Sequence, residues 1–452
     1  MALICRELTS KMPFNRSSAS QFFGAGYVRR VAGLLGCLML SFLMLMPATA
    51  AVSPPASLQV LHWWTSASER KAANLLAAYA AADNITWIDS AIPGGAGLAA
   101  VKVLRGLVLA NDAPEVTQII GASIGEWAEL GMLLELDVPA QAGNWNTVLF
   151  PAIYKLVQHR QHVVAAPIGI HRINTLFYNR ALFARFGLKP PKSWNEFEQI
   201  AHKFHAEGIA ALALSSEPWQ VATLFENLLL ASGGQQLHRE LFVKMNAQAL
   251  SDPRLTEALE RLRLMKSWTK QPIAERNWTE VVQELANGEA AMLVMGDWAK
   301  GELNVTGLPT DGVFSCSAMP GTEKFHLYSV DTLTMFTKDY AHSPAQEKLA
   351  RLLLTPVVQT GYNNVKGSVS VRRDADPARM DSCARASWTA FGLGASAQVP
   401  SLVHRMSVDE VARDAVIAEI NRFFANDSVT PAQARQRLGA VFRALHLRRS
   451  DH

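Results

Sequence analysis

Between Leu58 and Leu130 three strand-like segments alternate with helix-like ones, and no other feature of the chain restricts its fold as much. Leu58–Trp64 reads as a short strand, Thr65-Ser66 as a helix-cap signal, and about Glu69 to Ala82 as a helix. Asn84–Ile88 is a second strand, Gly94–Gly97 a turn, and Ala99–Ala110 a second helix. Glu115–Ile120 is a third strand and Ile124–Leu130 another helix. Parallel neighbours need a crossover between them, so a β-α-β-α-β order predicts a parallel sheet with helices on its faces. Val163–Ile170 then leads into Asn174–Tyr178, read as a strand continuing through a crossover. Thr332–Phe336 reads as a strand again, and Ser407–His446 as largely helical cover on a second lobe. A chain that leaves one α/β lobe and returns to it makes two lobes joined by several strands. No internal repeat or low-complexity linker separates them.

The N-terminus reads as an export signal. Arg29-Arg30 precede an apolar run from Val31 to Met46, Pro47 breaks it, and Ala48-Thr49-Ala50 supplies an A-x-A cleavage site. The run of 16 residues is shorter than the about 20 that span a bilayer. A lipoprotein cut at Cys37 would split this apolar core, and the residues after Arg29-Arg30 do not fit a twin-arginine route. Residues 1–50 carry five basic residues and one acidic residue, the same +4 as the whole chain. The remainder is therefore formally neutral, and the basic balance gives no argument for nucleic acid.

Cys316 and Cys383 remain after the expected cut near Ala50, an even pair in an oxidising compartment. A disulfide between them is expected, the alternative being two buried free thiols. It would close a loop of about 67 residues, worth about 4 kcal/mol in the chain-entropy model. The roughly 400 residues that follow the leader are too many for one core and suggest two lobes.

Two clusters suggest a binding site. His62-Trp63-Trp64 stands at the carboxyl end of the first strand, where open α/β sheets bind ligands. Adjacent strand residues face opposite ways, so one tryptophan is expected in the core and the other in a cleft; the alternative is that both are core. Gly296–Lys300 follows an apolar strand and opens a helix. Trp298 there offers a flat face to a sugar ring, while Asp297 reads as a helix cap. His171-Arg172 follows the first crossover, where a histidine serves equally as a structural hydrogen-bonder or a ligand contact. Catalytic patterns are missing. Gly94–Gly97 lacks the lysine-serine pair of a phosphate loop, there is no G-x-S-x-G elbow, and His62 and His171 are not at metal-ligand spacing. No catalytic residue, metal or cofactor is expected.

These motifs resemble the periplasmic sugar-binding proteins of ABC-type importers, the extracellular solute-binding family 1 that includes the maltose-binding protein. They look closest to its glucose/mannose branch. The resemblance is carried by His62–Ser66 with Glu69, Gly121–Trp127, Pro167–Arg172, Glu217–Gln220, Met295–Lys300, Ala318–Thr322 and Val365–Ser368, in order across about 58–425. It implies an α/β fold of two lobes, each a mostly parallel sheet flanked by helices, with a hinge of several segments. Lobe 1 would be 52–170 plus 328–354, and lobe 2 would be 171–327 plus 355–447. It puts Trp63, Trp64, Trp298, Asp331, Lys366 and His404 around a sugar, with Glu69, His171 and Ser329 in the same site. It also places cysteines at Cys316 and Cys383.

The departures concern polar contacts. The branch carries a lysine where this chain has Ile120 and an asparagine where it has Ser329, and acidic residues near Ser123 and Val221 are missing. Losing a charged hydrogen bond costs about 1.5–3 kcal/mol, roughly 10- to 150-fold in affinity. The expected ligand is therefore a monosaccharide altered from glucose, or glucose at a weakened site. The implied function is a non-enzymatic, monomeric periplasmic protein that closes on a sugar and hands it to a membrane permease. A sugar sensor feeding a receptor or histidine kinase is the alternative, and a secreted carbohydrate-active enzyme a more distant one.

Overall fold

The computed structural model describes residues 56–94, 97–337 and 341–450. The expected leader and its cleavage site lie outside these residues, as do Cys5, Cys37 and part of the Gly94–Gly97 turn. No helix among the described residues is long and apolar enough to cross a membrane.

The first sheet takes shape as the sequence suggests. Strand β1 (Ala56–His62) pairs in parallel with β2 (Ile85–Ala91) and β3 (Val116–Gln118). The helix Ala67–Ala82 between β1 and β2 starts with a capping box: Ser66 accepts from the Glu69 backbone N–H, and the Glu69 carboxylate reaches back to Ser66 N. A two-stranded ribbon, β4 (Gln158–His159) with β5 (His162–Val163), precedes β6 (Ala166–Arg172).

Two residues after β6 the chain enters β7 (Thr175–Asn179), which belongs to a second sheet with β8 (Ala210–Ala213), β9 (Ala290–Met295) and β10 (Phe314–Ala318). The long strand β11 (His326–Met335) then returns to the first sheet. It runs antiparallel to β6 and β3 and parallel to β12 (Gln398–Pro400). Since Tyr328 and Leu333 each pair with β6, the partners β12 and β3 share the other edge of β11. They leave that edge open between them, at Ser329–Thr332.

The α/β class and the two-lobed architecture are as expected, but the sheets are mixed rather than mostly parallel. In the second sheet β7 is antiparallel to both β10 and β9, and only β8 and β9 are parallel. The β-α-β order that dictates direction is confined to the first sheet. Strands of the second come from distant parts of the chain, so their direction is free of it.

Two apolar clusters underlie the two sheets. The chain passes between them at 170–173, at 327–330 and within 391–408. Residues 355–391, expected in the second lobe, pack in the first cluster through Val358, Tyr362, Val369, Val371, Ala384 and Phe391. The physical cause is the helix Pro356–Lys366, whose apolar face lies on the helix Ala67–Ala82. The C-terminal helices Glu410–Ala425 and Pro431–Ser450 cover the second cluster, as the sequence suggests.

Cys316 and Cys383 are bonded, with Cα atoms 6.0 Å apart. Cys316 is on β10, whereas Cys383 is on the helix Ser382–Gly392, whose Ala384 and Phe391 belong to the first cluster. The bond thus joins the two halves outside the crossing segments. Cys383→Ser is expected to lower unfolding free energy by about 2–4 kcal/mol in urea titration. The parent protein, but not the variant, should shift on gels run with and without reductant.

Candidate functional site

Strand β1 ends at His62, and the two tryptophans emerge from the turn beyond it. His62 is fully buried, with Nε2 2.8 Å from Asp89 Oδ1, and its Nδ1 accepts from Trp64 N at 3.2 Å. Burial holds its pKa below the usual value against the pull of Asp89, so the ring stays neutral with Nδ1 free to accept. Trp64 is fully buried between His62 and Tyr362, with ring centroids at 4.9 and 5.8 Å, while Trp63 is half-buried. The core-and-cleft division thus holds in burial, although both rings line the same cavity. Gly97 adopts φ +75° beneath Trp63, and a Cβ there would stand 2.8 Å from the indole, so this position requires glycine.

The polar part of the site is a buried ion cluster. His171, next to last in β6, has Nδ1 2.5 Å from Asp297 Oδ1 and Nε2 3.2 Å from Asp331 Oδ2. Burial disfavours the imidazolium, but the attraction and hydrogen bonds of Asp297 and Asp331 outweigh it and raise the His171 pKa. The same balance holds the Asp331 carboxyl down at about 2: burial pushes it up, and His171, Lys366 and Tyr362 overcome that. Asp331 also accepts from Gln118 Nε2 and Tyr362 OH, both at 3.1 Å. Lys366 Nζ donates to Glu69 Oε1 at 3.1 Å, while Glu69 Oε2 accepts from Thr65 N and Ser66 N. Burial works against the Lys366 charge, and Glu69 and Asp331 more than restore it.

Asp297 does not cap the helix Trp298–Val305 as its sequence position suggests. Its carboxylate is committed to His171 and, at 2.9 Å, to the backbone N–H of Arg172. This commitment fixes the start of the helix and hence Trp298. The Trp298 ring packs edge-on to His171 at 5.4 Å and tilted against His404 at 5.1 Å, with Trp219 at 6.4 Å.

All nine residues expected at the site, Trp63, Trp64, Glu69, His171, Trp298, Ser329, Asp331, Lys366 and His404, line one cavity of about 160 Å³. They reach it from the first sheet, the second sheet and the crossing segments. Their capacities differ. Both His171 nitrogens are spent on carboxylates, so it offers an occupant only ring surface. Lys366 uses one of its three N–H groups on Glu69, and no other side-chain hydrogen bond of its ammonium occurs among the described residues. Ser329 directs its hydroxyl to His404 O at 3.4 Å.

Glu217, Trp219, Asn277, Trp278 and Arg405, none of them expected at the site from the sequence although Glu217–Gln220 carries part of the resemblance, also line the wall, together with Thr65, Pro93, Gly94 and Ile120. Burial pushes the Glu217 carboxyl up despite the hydrogen bond that Gln220 Nε2 donates to it. A local signal existed for Asn277-Trp278, a cap residue followed by an aromatic; the Asn277 side chain accepts from Thr279 N. Among the described residues only Glu135, Asp137 and His162 form a group of three whose metal-ligand atoms all lie within 4.8 Å of one another, and none of them lines the cavity.

Two lobes, three crossing segments and an aromatic cavity between the lobes define a receptor that encloses a small solute. The chain belongs to the bacterial extracellular solute-binding protein family, whose model matches residues 64–360. It is 33% identical over 343 residues to the "Probable sugar-binding periplasmic protein" of Rhizobium meliloti (strain 1021), covering 75% of this chain and 82% of that one. A protein of the same description from Brucella melitensis is 32% identical over 340 residues, with 75% and 80% covered. Among solved structures, maltose-bound T. maritima MalE3 matches with TM-score 0.74 at 16% identity, covering 86% of this chain and all (100%) of that one. The bacterial solute receptor AcbH matches with TM-score 0.75 at 16% identity, covering 86% and 99%. Membership of this family makes the chain a binding protein rather than an enzyme.

The ion cluster gives stability a defined pH dependence. His171 has a raised folded pKa, so its contribution is full below about pH 6.5 and is lost as pH rises through the raised value. Asp331 has a depressed one, so its contribution is present above about pH 4 and is lost as pH falls toward about 2. His171→Gln should lower stability near neutrality by about 3 kcal/mol and flatten the alkaline decline. Urea unfolding of parent and variant from pH 5 to pH 9 checks both effects.

Proposed function

We propose that this protein captures a monosaccharide of the glucose/mannose type in the periplasm and delivers it to the membrane permease of an ABC-type importer. One observation carries the reading: Trp63, Trp64, Trp219 and Trp298 line one cavity together with buried Lys366, Glu69 and Asp331. Aromatic faces take the apolar face of a sugar ring, and fixed charged groups bond its hydroxyls. The relatives from Brucella melitensis and Rhizobium meliloti, described as probable sugar-binding periplasmic proteins, support the same class and compartment. In this reading the leader is cleaved near Ala50 and the mature protein acts as a monomer. Ligand shifts an open–closed equilibrium about the crossing segments, and the permease recognises the closed form.

Ile120 and Ser329 favour a ligand altered from glucose. Ile120 presents an apolar side chain to the cavity, and the Ser329 hydroxyl is already turned to a backbone carbonyl. Calorimetric titration with D-glucose, D-mannose, D-galactose and D-xylose should give at least one saturable isotherm. Trp298→Ala should weaken that binding by at least about 10-fold, equivalent to about 1.4 kcal/mol. Ile120→Lys should raise glucose affinity. Tight glucose binding by the parent, with no gain from Ile120→Lys, overturns the altered-ligand reading. No binding across the panel overturns the monosaccharide.

A further inference from the structure

We propose that Thr223 is a positioning residue: it fixes the buried His404 ring as the Nε2–H tautomer and so makes Nδ1 a hydrogen-bond acceptor for the cavity's occupant. Thr223 lies in the first two turns of the helix Pro218–Phe242. Its Oγ1 is 2.8 Å from the carbonyl oxygen of Trp219, one turn earlier. A carbonyl can only accept, so the single hydroxyl hydrogen is spent on that contact. The same Oγ1 is 3.0 Å from His404 Nε2. With no second hydrogen to give, the hydroxyl must accept there, and Nε2 must carry the proton.

A neutral imidazole protonated at Nε2 has a bare Nδ1. His404 is neutral: burial, then the nearby Arg413 and Arg405 charges, hold its pKa well below the usual value. Nδ1 has no hydrogen-bond partner among the described residues, and the ring forms part of the cavity wall. The other acceptors in the wall are more heavily used. Asp331 already takes three donors, and Glu69 takes three. His404 is thus a neutral acceptor facing the same space as the Lys366 donor. Resting on the sugar reading, a ligand hydroxyl donates to His404 Nδ1 while another accepts from Lys366.

The backbone that carries His404 is held without Thr223. His404 N donates to Ser401 Oγ at 3.1 Å, and Glu226 accepts from Ser401 Oγ and Leu402 N, both at 2.6 Å. Thr223→Val therefore removes the hydroxyl and leaves this scaffold in place, while Thr223→Ser restores the hydroxyl.

Nitrogen-15 spectra of histidine-labelled protein read the tautomer directly, with His404→Gln used to assign the signal. The parent and Thr223→Ser should show protonated Nε2 and bare Nδ1, whereas Thr223→Val should show a mixture of tautomers. A protonated Nδ1 in the parent, or an unchanged tautomer in Thr223→Val, overturns the proposal. In calorimetry with whichever of the four sugars the parent binds best, Thr223→Val should lose about 5- to 30-fold in affinity and Thr223→Ser less than about 3-fold. Full affinity in Thr223→Val overturns the role in ligand reading. Absence of binding by the parent sinks the sugar reading alone, and the tautomer result then decides the present one.

Discussion

The imidazolium of His171 between Asp297 and Asp331 is the contact on which the rest of the site depends. Each buried ion costs several kcal/mol of lost hydration, so a buried cluster persists only where nearly every lone pair and proton is used. Here the use is high. Asp297 bonds His171 and the Arg172 backbone, and Asp331 takes His171, Tyr362 and Gln118. The three participants come from different places: a strand that ends at the crossing, a helix start under the second sheet, and the middle of β11. One cation therefore ties both halves of the molecule at the point where the chain passes between them.

The aromatic wall follows from this contact. Asp297 cannot both cap its helix and bind His171, and the cluster wins because leaving a buried imidazolium unpaired would cost more than a missing cap, about 1 kcal/mol. The helix accordingly starts without a side-chain cap, and Trp298 is delivered against His171 and His404. Gly296 makes the turn possible, since a Cβ there would meet the Trp298 ring at 2.2 Å. His62 plays a parallel role at the other wall, where a neutral ring holds the turn that carries Trp63 and Trp64.

What could be read from the sequence was local. The β-α-β order of the first sheet, the Ser66–Glu69 cap and the placing of tryptophans at the end of β1 all arise from residues within a few positions of each other. The mixed second sheet was not readable, because β7, β9 and β10 lie far apart in the chain and no connection dictates their direction. Residues 355–391 were misassigned for a similar reason: the partner of the helix Pro356–Lys366 is a helix almost 300 positions earlier. The site residues were named through family resemblance, yet their states were not. No spacing in the chain distinguishes His171, charged and saturated, from His404, neutral with one nitrogen open. That difference is set by which groups surround each ring: two carboxylates in one case, a spent hydroxyl and two arginines in the other.

The covalent link constrains how such a molecule can move. The helix Ser382–Gly392 is anchored in the first apolar cluster, yet its N-terminal turn is held to the second half by the disulfide, by Lys300 on Asp381 at 2.8 Å and by Ser382 on Asp311. Lys300 is itself almost fully buried on the helix that carries Trp298. Any rotation of one core against the other must keep Cys316 and Cys383 within disulfide reach. Large displacements are therefore confined to regions far from this link and from the crossings at 170–173 and 327–330. Trp63, packed on the first apolar cluster, and Trp278, packed on the second, line the cavity from opposite halves.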